Sequence, residues 1–222
     1  MVLRFFQSSG EDRLEHAQGL LQQMLVNDRH CFEIATSTLL TGQDTGAVGP
    51  DLRDTDRQVN EAEREVRRDL VVHASVHGTS QVSAILIYMS IVKDVERIGD
   101  YAKNIFDVAA GGADLSGQPD SAELVAYRDR ISEMITEAAG AFAEEDGGAA
   151  NALIAEADAM QDEFDAKVGV LVTSDRPGHE AVPRALLFRY YKRIIGHLMN
   201  VLSAVIMPLD RLDYYDEPKN DR

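Results

Sequence analysis

Glu96 and Asp100, inside the segment VKDVERIGDYAKNIFD (92–107), are the residues whose type and spacing best suit chemistry. Residues four apart share one face of a helix, so the two carboxylates project together. Their mutual repulsion costs roughly 0.2–0.5 kcal/mol when exposed, and a cation between them removes it. Oxygen-only ligands suit iron, manganese or magnesium, with zinc as a further candidate. Asp56, Asn60 and Glu63 on the preceding helix can complete the shell if the two helices lie side by side. A plainer reading stays open on spacing alone, in which Lys93 and Lys103 neutralise a solvated acidic face. At about 100° per residue, Ile91, Val95, Ile98, Ala102, Ile105 and Ala109 form a core stripe. Glu96 and Asp100 then point almost opposite it, which predicts an outward, shallow site.

Other combinations carry less. His73 and His77 are four apart at a helix end, where imidazolium complements the helix dipole and no third zinc ligand stands nearby. Cys31 lies on an apolar helix side; its neighbour His30 points about 100° away, so a buried thiol is expected rather than a Cys–His dyad. Tyr190 and Tyr191 read as one interface ring and one core ring. The chain has no Glu-x-x-His pair, no P-loop and no GxGxxG or GxSxG. With no catalytic constellation, a non-enzyme is expected.

The elements that must position these residues are helices throughout. The chain has 222 residues, 45% of them apolar, with few alternating stretches. The expected helices are 11–40, 51–77, 81–110, 121–145, 149–173 and 181–212. Breaks fall at TGQDTGAVGP (41–50), at Gly78 with Thr79 or Ser80 as the next cap, at GGADLSGQPD (111–120), at Asp146-Gly147-Gly148 and near Pro177-Gly178. Pro208 should kink or end the last helix, leaving DRLDYYDEPKNDR as a frayed charged end. Two sets of three helices, 1–112 and 113–222, suggest a duplication. Within it, DRQVNEAEREV (56–66) matches DAMQDEFDAKV (158–168), and the stretch from Arg97 to Ile105 matches Arg193 to Val201. In the second copy Lys192 stands for Glu96 and Gly196 for Asp100.

Lys+Arg total 22 against 38 Asp+Glu, for a net charge of −16. Such a field repels phosphate backbones, so direct nucleic-acid binding is not expected. One cysteine excludes an internal disulfide and fits a reducing cytoplasm. The apolar runs 84–89 and 201–209 are too short to cross a bilayer, and no charged leader precedes a long apolar stretch.

The segment VKDVERIGDYAKNIFD, with DRQVNEAEREV upstream and its partner DAMQDEFDAKV, resembles the PhoU family of phosphate-signalling proteins. That resemblance implies an all-α fold of two antiparallel three-helix bundles, the second repeat being degenerate. It implies a cytoplasmic protein, peripheral at the inner face of the membrane through its partner, that docks to phosphate transporter components or a sensor histidine kinase and represses the phosphate-starvation response. Self-association into a homo-oligomer is also expected. Carried over by position, the family's acidic metal motifs point to Glu96, Asp100 and Asp56, with Asn60 where an acid is more usual, and to Asp158 and Asp162 in the second half. The alternatives are an accessory subunit of a low-affinity phosphate permease, a metal-dependent hydrolase using Glu96, Asp100 and Asp56, and a purely structural bundle.

Overall fold

The computed structural model describes the backbone of residues 2–78 and 81–212, and the side chains of 13–78 and 81–212. Among these residues the chain forms α1 (Val2–Thr41), α2 (Thr45–His77), α3 (Val82–Ala110), α4 (Ser121–Ala143), α5 (Gly147–Val172) and α6 (Gly178–Ile206), followed by a 3₁₀ turn, Leu209–Arg211. Helices α1 to α3 pack on one another, as do α4 to α6, and the two groups join through α1 against α4 and α3 against α6. The apolar core runs continuously through both groups. The predicted α3 stripe holds over most of its length: Ile91, Val95, Ile98, Ala102 and Ile105 are all fully buried, and Ala109, in the last turn, is half-buried against the core.

Several boundaries differ from the sequence expectation, each for a local reason. Helix α2 starts at Thr45, so the GAVGP end of the supposed break is helical. Asp44 caps it by accepting from the Gly46 N–H at 2.9 Å. Pro50 lies inside α2 and denies the Gly46 carbonyl its usual partner, a loss made small because Gly46 is exposed to water. Asp146 does not simply stop α4; its carboxylate accepts from the Gly148 and Ala149 N–H groups and so begins α5, with Gly147 and Gly148 inside that helix. Helix α6 ends at Ile206 rather than 212, because Met207 turns extended ahead of Pro208. The expected cap at Thr79 or Ser80 lies outside the described residues, and so does the charged tail from Asp213 onward.

The link 111–120 is pinned at its middle and at its far end. Leu115 is buried and its N–H donates to the Leu39 carbonyl at 2.9 Å. Arg184, also buried, donates from Nε and Nη2 to the two oxygens of Asp120 at 2.6 and 2.7 Å. That bidentate contact holds the Asp120 carboxyl below its usual range.

Tyr191 is the expected core ring. It packs between Phe32 of α1, 5.7 Å away, and Phe164 of α5, 5.8 Å away, and so ties the two halves together. Tyr190 is the interface ring, set 6.0 Å from Tyr101 of α3. Burial of Tyr191 leaves its hydroxyl without a hydrogen-bond partner and pushes its pKa up. Removing that oxygen relieves a desolvation cost while keeping the ring. Tyr191→Phe should therefore stabilise the protein by about 1 kcal/mol, read as a higher denaturant midpoint with unchanged slope.

Candidate functional site

The acids singled out on α3 meet those of α2, and a further acid arrives from α1. Asp28 sits on α1 among Met24, Leu25, Cys31 and Phe32, all fully buried. Its own carboxylate is 0% exposed, and neither oxygen has a hydrogen-bond partner. Burial raises its pKa well above the carboxylate range, and the negative charges of Glu96, Asp56 and Asp100 raise it further against the opposing pull of Lys103.

Asp28 also explains why α3 carries a glycine in mid-helix. A Cβ at Gly99 would lie 2.5 Å from Asp28 Oδ1, closer than real atoms approach. The carboxylate is thus pressed against the backbone of α3 between Glu96 and Asp100.

Basic side chains divide the remaining acids. Lys103 Nζ bridges the helices, 2.7 Å from Asp56 Oδ1 and 2.9 Å from Asp100 Oδ1. Burial works against its charge, yet the hydrogen bonds to Asp56 and Asp100 win and raise its pKa to about 12. Lys93 Nζ lies 2.6 Å from Glu96 Oε2 and 3.8 Å from Glu63 Oε1, while Arg67 pairs with Glu63 at 2.9 Å and Arg97 with Asp100 at 3.3 Å. The geometry is therefore the plainer arrangement offered by the sequence, with lysines as counter-ions, except that the face is only partly solvated.

Glu96 and Glu63 are each only 8% exposed, which corrects the expectation of an outward, shallow site. Glu96 does point away from the α3 core stripe, but α2 packs along α3 on that side. Asn60 turns aside, its Nδ2 donating to the Asp56 carbonyl at 2.9 Å. In the second half Asp158 is half-buried and Asp162 exposed on α5, each with an interaction of its own. Opposite them on α6, Lys192 pairs with Asp165, and Gln161 fills the space beside Gly196, where a Cβ would come within 3.0 Å of its Nε2.

The donor set fits a hard cation: oxygen ligands from three helices, one of them a buried carboxylate with both oxygens unbonded, against a backbone kept bare of a Cβ. As the side chains stand, Lys103 occupies the space between Asp56 and Asp100, and Lys93 pairs with Glu96. Among the described residues, three metal-capable atoms lie within 4.8 Å of one another at His16, Glu65 and Asp69 instead. There His16 Nδ1 is 2.7 Å from Asp69 Oδ2, and Arg13 already donates to Asp69 Oδ1 at 2.7 Å.

The remaining candidates have structural partners. Cys31 is buried with Sγ 3.8 Å from the Leu52 carbonyl, and burial pushes its thiol up to about 12, while His30 bonds Asp51 at 2.9 Å. His73 and His77 stack at 4.6 Å, and His73 Nε2 is 2.7 Å from Gln81 Oε1. His197 Nδ1 lies 2.8 Å from Asp94 at the α3–α6 junction and stacks on Tyr101.

Sequence reasoning missed Asp28, though a signal existed: it is a carboxylate at a core position of the α1 apolar stripe, four after Met24 and four before Phe32. Its contact with Gly99 is testable. Gly99→Ala gains about 1 kcal/mol in helix propensity, but the clash with Asp28 should outweigh it and lower stability by about 1–3 kcal/mol. In an Asp28→Ala background the same change should become neutral or stabilising, a coupling read from denaturant midpoints of the four proteins.

A family model described as the PhoU domain matches residues 21–109, which takes in Asp28, the upstream acids of α2 and the ERIGD segment of α3. No curated protein matches the chain. Among solved structures, the crystal structure of PhoU from Pseudomonas aeruginosa is similar at 22% identity, covering 94% of this chain and 98% of that one with a TM-score of 0.67. At that identity the likeness is one of fold, and it extends through both three-helix groups. Family match and fold agree with the ERIGD resemblance read from the sequence: residues 21–109 match the PhoU domain model, and the six-helix chain shares the fold of the Pseudomonas aeruginosa PhoU structure.

Proposed function

We propose that the protein is a non-enzymatic regulator of phosphate uptake and phosphate-starvation signalling, acting by docking to phosphate transporter components or a sensor histidine kinase. The observation that carries this reading is the PhoU domain over residues 21–109, with its ERIGD segment set on α3 against the acids of α2. In this reading Glu96, Asp100 and Asp56 hold iron, manganese, magnesium or zinc, and the site belongs to the first repeat, since α6 offers Lys192 and Gly196 where α3 offers acids.

Two further features support docking over catalysis. Cys31 is buried with its thiol against the Leu52 carbonyl and is not offered to a substrate, and the exposed His30 is paired with Asp51. Large apolar side chains are exposed at the α2–α3 hairpin end, where Val71, Val76, Val82 and Leu86 are each more than two-fifths uncovered, and again at Val170, Val172 and Val182 near the α5–α6 turn. No described helix is long and apolar enough to cross a membrane, so membrane association runs through the partner in this reading.

A pull-down of the tagged protein from gently solubilised native membranes, with cells grown in high and low phosphate, tests it. Recovery of a phosphate transporter component or its sensor kinase above an unrelated acidic helical control is expected, and Val76→Asp with Leu86→Asp should reduce it. Recovery of neither partner in either condition, with folded bait, overturns the docking reading.

A further inference from the structure

We propose that Asp28 is the third-helix ligand of the cation site, and that the cation binds by exchange, displacing the ammonium of Lys103 from between Asp56 and Asp100. This inference rests on the metal reading given above and adds to it both a ligand from α1 and the group the cation must replace.

Three observations carry it. A carboxyl group held at 0% exposure with neither oxygen hydrogen-bonded is left without the partner that a buried polar group normally has, and no basic side chain among the described residues reaches it within ion-pair distance. Its position is fixed against Gly99, whose missing Cβ lets the carboxylate enter the gap between Glu96 and Asp100. Finally, Lys103 Nζ already sits at a cation's place, within 3 Å of carboxylates on two helices.

An ammonium is a single positive charge on a flexible stem, with donors that reach Asp56 and Asp100 while leaving Asp28 unbonded. A divalent ion at the same point brings twice the charge and six or more ligand positions. It can therefore take oxygens from Asp28, Asp56 and Asp100 together, with Glu96 drawn from Lys93. Asn60, turned to its own helix backbone, leaves the site short of one acid on α2, and Asp28 supplies that charge from α1. The lysine side chain, 30% exposed, has open solvent into which it can swing.

The test is titration of Mn²⁺ into the chelator-stripped full-length protein, followed by loss of the free-ion EPR signal, with thermal midpoints measured in parallel. Wild type should bind. Asp28→Asn, nearly isosteric, should weaken binding by about tenfold or more while the metal-free protein keeps a cooperative thermal transition. Lys103→Met, which leaves Asp28 untouched, should tighten binding by removing the competing ammonium. Unchanged affinity in Asp28→Asn, with Glu96→Gln and Asp100→Asn still impaired, overturns the role of Asp28 and leaves the metal reading standing. Weaker binding in folded Lys103→Met overturns the exchange. Failure of wild type to bind Mn²⁺ overturns the metal reading and this inference with it.

Discussion

The three helices α1 to α3 are organised around one unfavourable placement, a carboxyl group buried between α1 and α3 with no bonded partner. Its consequences spread outward. Asp28 Oδ1 presses on the α3 backbone, so the position between Glu96 and Asp100 that faces it is glycine, despite the cost of a flexible residue inside a helix. The same crowding brings Glu96, Asp56 and Asp100 close enough to raise the pKa of Asp28, and those acids in turn bind the lysine whose own pKa they lift. Five carboxylates from three helices face Lys93, Lys103, Arg67 and Arg97, and the charge nearest the core is the one these bases leave unbonded. Proteins tolerate such a group where it does something that a well-packed Leu would not.

The second three-helix group, α4 to α6, lacks that constraint. On α6, Lys192 and Gly196 stand where α3 has its acidic pair, and the gap beside Gly196 is closed by Gln161. Stability there comes from aromatic rings, with Phe164 within 6 Å of Tyr127, Phe188 and Tyr191. One half of the molecule carries the charge problem and the other supplies ring packing, and Tyr191 against Phe32 joins them.

Much of this was legible in the sequence because it rests on periodicity. The α3 stripe from Ile91 to Ile105, the buried Cys31, the division of labour between Tyr190 and Tyr191 and the glycine stop at Gly78 all follow from local spacing and residue type. The boundaries that moved were those where a cap outweighed a breaker: Asp44 starts α2 ahead of Pro50, and Asp146 starts α5 through two glycines. What periodicity could not supply was the third dimension of the site. A helical wheel places Glu96 opposite its own core stripe but is silent about α2, which covers it. It likewise marks Asp28 as a core position without showing that Gly99 of another helix makes room for it. The His16–Glu65–Asp69 group was hidden for the same reason, since its members come from two helices with Arg13 completing the pairing.

The central claim, that the acids of α1, α2 and α3 form a cation site now held by lysine, is tested most directly by anomalous diffraction from crystals of the protein soaked in Mn²⁺. The account predicts one strong peak within coordination distance of Asp28, Asp56, Glu96 and Asp100, with Lys103 turned away. A peak at His16, Glu65 and Asp69 alone, or Lys103 still bridging Asp56 and Asp100 with no peak beside it, would contradict it.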